Sequence, residues 1–163
     1  MKPAPAAGGL TESPSLQMLM RRSWDRPTER DWADVLGAIP LFSTLPKRHV
    51  RSLAKLAKVV DYAPNETIVR AGEKGDSFYL VLEGKARVTK GSRVLGAGDF
   101  FGEMALLDGG ERSTTITAVN SVRVMVLPRR GFVKAIGKDP QIALAIMTSL
   151  AERVRRLEGS VSA

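Results

Sequence analysis

Residues 68–88 read IVRAGEKGDSFYLVLEGKARV, and this stretch decides the architecture. Two apolar runs of strand length, FYLVL and ARV, are separated by Glu83-Gly84-Lys85, with further glycines at 72 and 75. Glycine accepts the positive φ and the close backbone approach that barrel corners impose. Outward from here the same rhythm continues: TIV at 67–69, then RVL, TTITAV and VRVMVL as far as residue 127, punctuated by Gly91, Gly96 and Gly98. Short strands with turn signals roughly every eight to twelve residues predict an antiparallel barrel or jelly roll over about 60–128.

The flanks change period. From Leu41 to Val60 apolar residues recur at three- and four-residue steps (Leu45, Val50, Leu53, Leu56, Ala57), with Pro46 near the start, which predicts a helix. His49 lies within it beside Lys47 and Arg48 and is expected at the surface. Upstream, the Pro-, Ala-, Gly- and Ser-rich first fifteen residues predict a disordered tail, and Thr28 followed by acidic residues predicts a helix start running through Trp32 and Leu36. Trp24 and Trp32 are expected to pack, on the domain or on a partner. Downstream, 129–137 predict a short helix. Asp139-Pro140 opens a longer one through Leu157, with Gly159 as its stop. Met147, Leu150, Val154 and Leu157 give that helix an apolar seam, which fits either packing on the barrel or a homodimer. The expected division is an N-terminal extension over 1–35 and one domain over 36–159.

Bulk composition narrows the function classes. The chain has 163 residues, no cysteine and one histidine, so disulfides, thiolate chemistry and multi-histidine metal centres are excluded. No stretch approaches a membrane span and no apolar leader core follows Lys2, so a cytoplasmic location with no membrane partner is expected. The net charge of +8 arises wholly after residue 36: residues 1–36 carry five basic and five acidic side chains, and 37–163 carry 20 and 12. Along the sequence these cations are scattered, with no interleaved aromatics, so a solvated basic surface is expected and DNA binding is not.

The chemistry concentrates in Gly98–Thr115, GDFFGEMALLDGGERSTT. Gly102 permits close backbone approach, and the residues after it can form one helical turn whose unpaired N–H groups suit a phosphate. Arg112 could add a bidentate contact and Ser113 a hydroxyl. Glu103 would oppose a phosphate but could accept from a neutral hydroxyl such as a ribose 2′-OH. The residues alone fit two readings: a site for a phosphate joined to a sugar, or a Glu103–Arg112 salt bridge across a turn.

FGEMALLDGGERSTTITA resembles the phosphate-binding cassette of cyclic nucleotide-binding domains, of the cAMP receptor protein and protein kinase A regulatory subunit type, here in a stand-alone, bacterial-type form. IVRAGEKGDSFYLVLEGKARV is similar to that family's first barrel half, IPLFSTLP to its entrance helix and 129–157 to its hinge and lid helices. The resemblance covers about 36–157. It implies a mainly β fold, an antiparallel jelly roll (double-stranded β-helix) with N-terminal helices and C-terminal hinge and lid helices. Gly102 and Ala105 then fall where backbone N–H groups meet the cyclic phosphate, with Met104 between them. Glu103 falls where the ribose 2′-OH is accepted, and Arg112, followed by Ser113 and Thr114, where the phosphate is neutralised. Leu95 and Phe101 are candidates for the barrel core or for base contact, and Met147, Leu150, Arg153 or Arg155 for base contact from the lid.

Ser113 directly after the arginine leans towards cAMP over cGMP. The resemblance implies a ligand-responsive sensor with no cofactor, no metal and no enzymatic activity, acting on a separate protein effector. With six residues after Leu157, no DNA-reading unit is expected. Two other readings stand beside it: an interaction module that binds no nucleotide, and a basic nucleic-acid-associated regulator.

Overall fold

A computed structural model describes residues 7–9, 18–21 and 23–162. Among these residues, nine strands make two antiparallel sheets. They are β1 (Ala7–Gly9), β2 (Lys58–Tyr62), β3 (Thr67–Val69), β4 (Ser77–Glu83), β5 (Ala86–Val88), β6 (Val94–Leu95), β7 (Asp99–Phe101), β8 (Ile116–Ala118) and β9 (Val122–Pro128). One sheet runs β1-β7-β4-β9-β2 and the other β3-β8-β5-β6. From residue 29 on, the described residues form five helices: α1 (Glu29–Ala38), α2 (Lys47–Ala54), α3 (Glu103–Asp108), α4 (Arg129–Lys138) and α5 (Gln141–Ser162). This is the jelly-roll barrel with flanking helices that the strand rhythm implied.

The near-continuous apolar run in β4 reflects burial on both faces. Tyr79 and Val81 join Val122, Val124 and Val126 of β9 and Leu95, Val88 and Ile116 of the second sheet in a core between the sheets. Phe78, Leu80 and Leu82, with Met125 and Leu127, face the other way onto the helices. That second core also takes in Trp24, Trp32, Leu36, Phe42, Leu53, Phe132, Ile142 and Ile146.

The N-terminal helix forms as its signals dictate. Thr28 accepts from the Asp31 backbone N–H while Asp31 accepts from the Thr28 N–H, a reciprocal cap. Trp24 and Trp32 stack at 5.4 Å, both buried. Arg123 of β9 fastens this segment, bonding Asp61 at 2.8 Å, Asp25 at 3.1 Å and the Trp24 carbonyl at 3.2 Å. The guanidinium holds the Asp61 carboxyl below the usual range, and Asp61 in turn raises Arg123.

Four expectations are corrected. Within the segment read as a disordered tail, Ala7–Gly9 pairs antiparallel with β7; the rest of that tail lies outside the described residues. The helix read over 41–60 contracts to 47–54, because Val59 and Val60, β-branched, pair with Met125 and Val124 of β9 instead. His49 is buried, and its Nδ1 donates to Asp139 Oδ2 at 3.1 Å. Gly159 does not stop α5, which continues to Ser162; a glycine without positive φ costs a helix about 1 kcal/mol and does not end it.

Candidate functional site

The site is assembled by one short helix, the loop that precedes β4 and the loop that follows α3. Gly102 caps α3 from the left-handed region, at φ +85°. A Cβ there would stand 2.5 Å from Arg112 Nη1 and 2.7 Å from the Ser77 carbonyl, so only glycine lets this backbone and the guanidinium meet. Gly75 is as constrained: its Cβ would collide with Ala105 and reach within 3.3 Å of Arg112 Cζ. The two loops are laced together by backbone bonds, Gly75 N–H to the Gly110 carbonyl at 2.8 Å and Arg112 N–H to the Glu73 carbonyl at 2.7 Å.

Arg112 is buried, 9 % exposed, which is unusual for a cation without a full partner. It donates to the Ser77 carbonyl at 2.8 Å and lies 3.9 Å from the exposed Asp76 carboxylate. Its Cζ stands 5.5 Å from the centroid of Tyr79, which stacks on Phe101 at 4.8 Å. Burial, with smaller contributions from Tyr62 and Asp76, pushes the Tyr79 hydroxyl up to about 12. A guanidinium supported by one carbonyl and a ring face retains donors for an anion.

Glu103 does not bridge to Arg112, which removes the simple turn salt bridge as the explanation of the pair. Its oxygens instead accept from both terminal nitrogens of Arg153 on α5, at 3.2 and 3.3 Å. A second link runs from the other end of α3. Arg129 at the start of α4 donates to the Leu107 carbonyl at 3.1 Å and lies where a Cβ on Gly109 would touch it, 3.2 Å away. The short helix is thus tied to α4 through Arg129 and to α5 through Arg153.

Of the residues read from sequence, Gly102, Glu103, Ala105 and Arg112 cluster around α3, with Met104 and Ser113 exposed beside them. Thr114 is buried and engaged elsewhere, accepting from the Lys90 N–H at 3.1 Å. Leu95 and Phe101 belong to the core between the sheets. Sequence reading missed Gly75 as a contact of Arg112, and Ser77, Asp76, Tyr79 and Arg129. Their one signal was nearness in sequence to the strands framing the cassette. On α5, Met147, Val154 and Leu157 are exposed while Leu150 packs against the helix-side core. Among the described residues no group of acidic and histidine side chains could hold a metal, and no helix is long and apolar enough to cross a membrane.

The family profile described as "Cyclic nucleotide-binding domain" matches residues 59–139. The chain is 25 % identical over 137 residues to a CRP-like cAMP-activated global transcriptional regulator of Mycobacterium tuberculosis, a match covering 79 % of this chain and 61 % of that one. It is 32 % identical over 126 residues to a cAMP-dependent protein kinase regulatory subunit of Colletotrichum orbiculare, covering 74 % and 32 %. The chain therefore spans less than two thirds of these relatives, both named as regulators. Among solved structures, the N-terminal domain of a transcriptional regulator from Streptomyces coelicolor A3(2) superposes with a TM-score of 0.67 at 28 % identity, covering 78 % of this chain and 94 % of that one. The matched residues 59–139 take in most of the barrel and α4, and the chain belongs to the cyclic nucleotide-binding domain family.

Proposed function

We propose that this protein is a cyclic nucleotide sensor that takes cAMP in preference to cGMP and signals to a separate partner by movement of α4 and α5. The observation that carries the reading is the meeting of the Gly102-capped end of α3 with the buried guanidinium of Arg112, beside Glu103. In this reading the N–H groups from Gly102 to Ala105 and the Arg112 guanidinium hold the cyclic phosphate, and Ser113 lends its hydroxyl. Glu103 accepts the ribose 2′-OH.

Signalling follows from who else holds these groups. Glu103 is shared with Arg153 of α5, and α3 is held by Arg129 of α4. A ligand that engages Glu103 and shifts α3 therefore binds two arrangements of these helices unequally, which is what coupling requires. The exposed Met147, Val154 and Leu157 give a partner, or a second copy of the chain, an apolar seam to read. The relatives' cAMP-activated and cAMP-dependent activities support the base assignment.

Amide exchange with saturating cAMP, cGMP or 5′-AMP tests this reading. Protection across 102–113 with changed exchange in 129–138 and 141–157, largest for cAMP and absent for 5′-AMP, is expected. Unaltered exchange with all three would overturn it.

A further inference from the structure

Cations that look scattered in the sequence fall on the exposed sides of two helices that are neighbours in space. The outer side of α2 presents Arg48 and Arg51, with Lys55 following at the helix end, and α4 presents Arg130, Lys134 and Lys138; all six are exposed. The four-residue steps along α4 set successive charges about 6 Å apart along the axis. Two contacts fix how the helices lie. His49, near the start of α2, meets Asp139 at the end of α4 at 3.1 Å. Gly131, at the start of α4, abuts Leu56 just beyond α2, where a Cβ would stand 3.1 Å from Leu56 Cδ2. The helices therefore run antiparallel side by side, and packed helices lie about 8–10 Å apart. Their cations form two neighbouring rows.

Neither α2 nor α4 carries an acid of its own. The sequence holds no acid from Gly37 to Val60 or from Val124 to Lys138. None of the six cations makes an ion pair with a described residue. Asp139 is divided between His49 and the Gln141 N–H at 3.2 Å. Glu29 and Asp34 line the groove between α1 and α2, which of the six cations only Arg51 shares.

The chemistry of the face selects among anionic partners. A membrane-surface helix needs an apolar side to insert, but Val50, Leu53, Ala54 and Phe132 are already buried in the core. Protein interfaces are enriched in aromatics, Met and Arg and depleted in Lys; this face has arginines, but it also has Lys55, Lys134 and Lys138 and offers only Val133 as a large exposed apolar side chain. Nucleic-acid interfaces are far more positive, and phosphate contacts need neither aromatics nor base-reading groups. We propose that the α2–α4 face binds the phosphate backbone of a nucleic acid duplex without regard to sequence.

Fluorescence anisotropy with a labelled mixed-sequence 20-bp DNA duplex tests this on the intact chain. The proposal expects binding at 50 mM salt that weakens roughly hundredfold by 200 mM, as release from about four phosphates requires. It also expects equal affinity for a second, unrelated sequence. The triple variant Arg48→Glu, Lys134→Glu, Lys138→Glu should lose at least thirtyfold with its thermal melt intact. The control Lys85→Glu, Arg87→Glu, Lys90→Glu, on the barrel and equal in charge change, should lose less than threefold. No binding at 50 mM salt would overturn the proposal. So would equal losses in both triple variants, which would assign the effect to net charge. Equal binding of phosphatidylserine vesicles or of polyglutamate through the same side chains would overturn it as well.

Discussion

Gly102 holds φ +85° with its α-carbon against a buried guanidinium, and that one position links backbone conformation to ligand chemistry. A side chain there meets both a left-handed φ and the Arg112 Nη1. Gly102→Ala should therefore lose about 1–3 kcal/mol of stability, read by chemical denaturation, and should weaken cAMP binding as Arg112 is displaced. A second residue sets a pH dependence. The Tyr79 phenol is raised to about 12 when folded, chiefly by burial, against an ordinary value of 10.0. Its neutral form is the one the fold prefers, so its stabilising contribution is complete below pH 10 and is lost as pH rises towards 12. Thermal melts should fall through that window, and Tyr79→Phe should flatten the decline; an unchanged slope would remove Tyr79 as its source. Neither position needed the structure to be noticed as a glycine or an aromatic. What sequence could not show was that Gly75, Gly102, Ser77 and Tyr79 converge on one arginine, because the contacts span 10 to 37 residues.

Between elements, the distal half of α5 carries the sharpest consequence. Its proximal turns are anchored by buried Ile142 and Ile146 and by Ser149 Oγ donating to the Pro40 carbonyl at 3.2 Å. Beyond residue 150 the side chains are mostly exposed, and Arg153 to Glu103 is the ion pair that reaches back to the cassette. Arg153→Ala should raise amide exchange over 150–158 while leaving the barrel strands unchanged; equal exchange in wild type and variant would show that the pair does not pin the helix. The elements themselves were legible to different degrees. Period-two alternation and glycine corners announced the barrel strands, and Thr28 with Asp31 announced α1. The stretch after Ala54 was misread because its apolar spacing suits a helix or a strand alike, and pairing of Val59 and Val60 with β9 decided it. His49 was misread for a related reason: flanking cations suggested solvent, but its own position on α2 faces α4.

For the whole molecule, one helix-side core joins the N-terminal helices, the sheet and the C-terminal helices. Phe42 packs edge-on to Phe78 of β4 at 6.1 Å and to Phe132 of α4 at 6.4 Å. Phe42→Ala should cost about 3–5 kcal/mol and lower the midpoint of one cooperative transition; loss of the helices in a separate, earlier step would contradict a shared core. This scale was the least legible in the sequence. The +8 charge was visible, but its assembly into two rows depends on helices some 80 residues apart in the chain, and no local pattern encodes that approach. The cassette was the opposite case, since its chemistry is contiguous over Gly98–Thr115, and Gly102, Glu103 and Arg112 lie together around α3. That cassette is also where the central claim stands or falls, and a calorimetric titration of cAMP into wild type and Arg112→Ala tests it most directly. The wild type should bind at about micromolar Kd or tighter, near 8 kcal/mol, and the variant roughly a hundredfold or more weaker. No heat with the wild type, or equal affinity in both proteins, would contradict it.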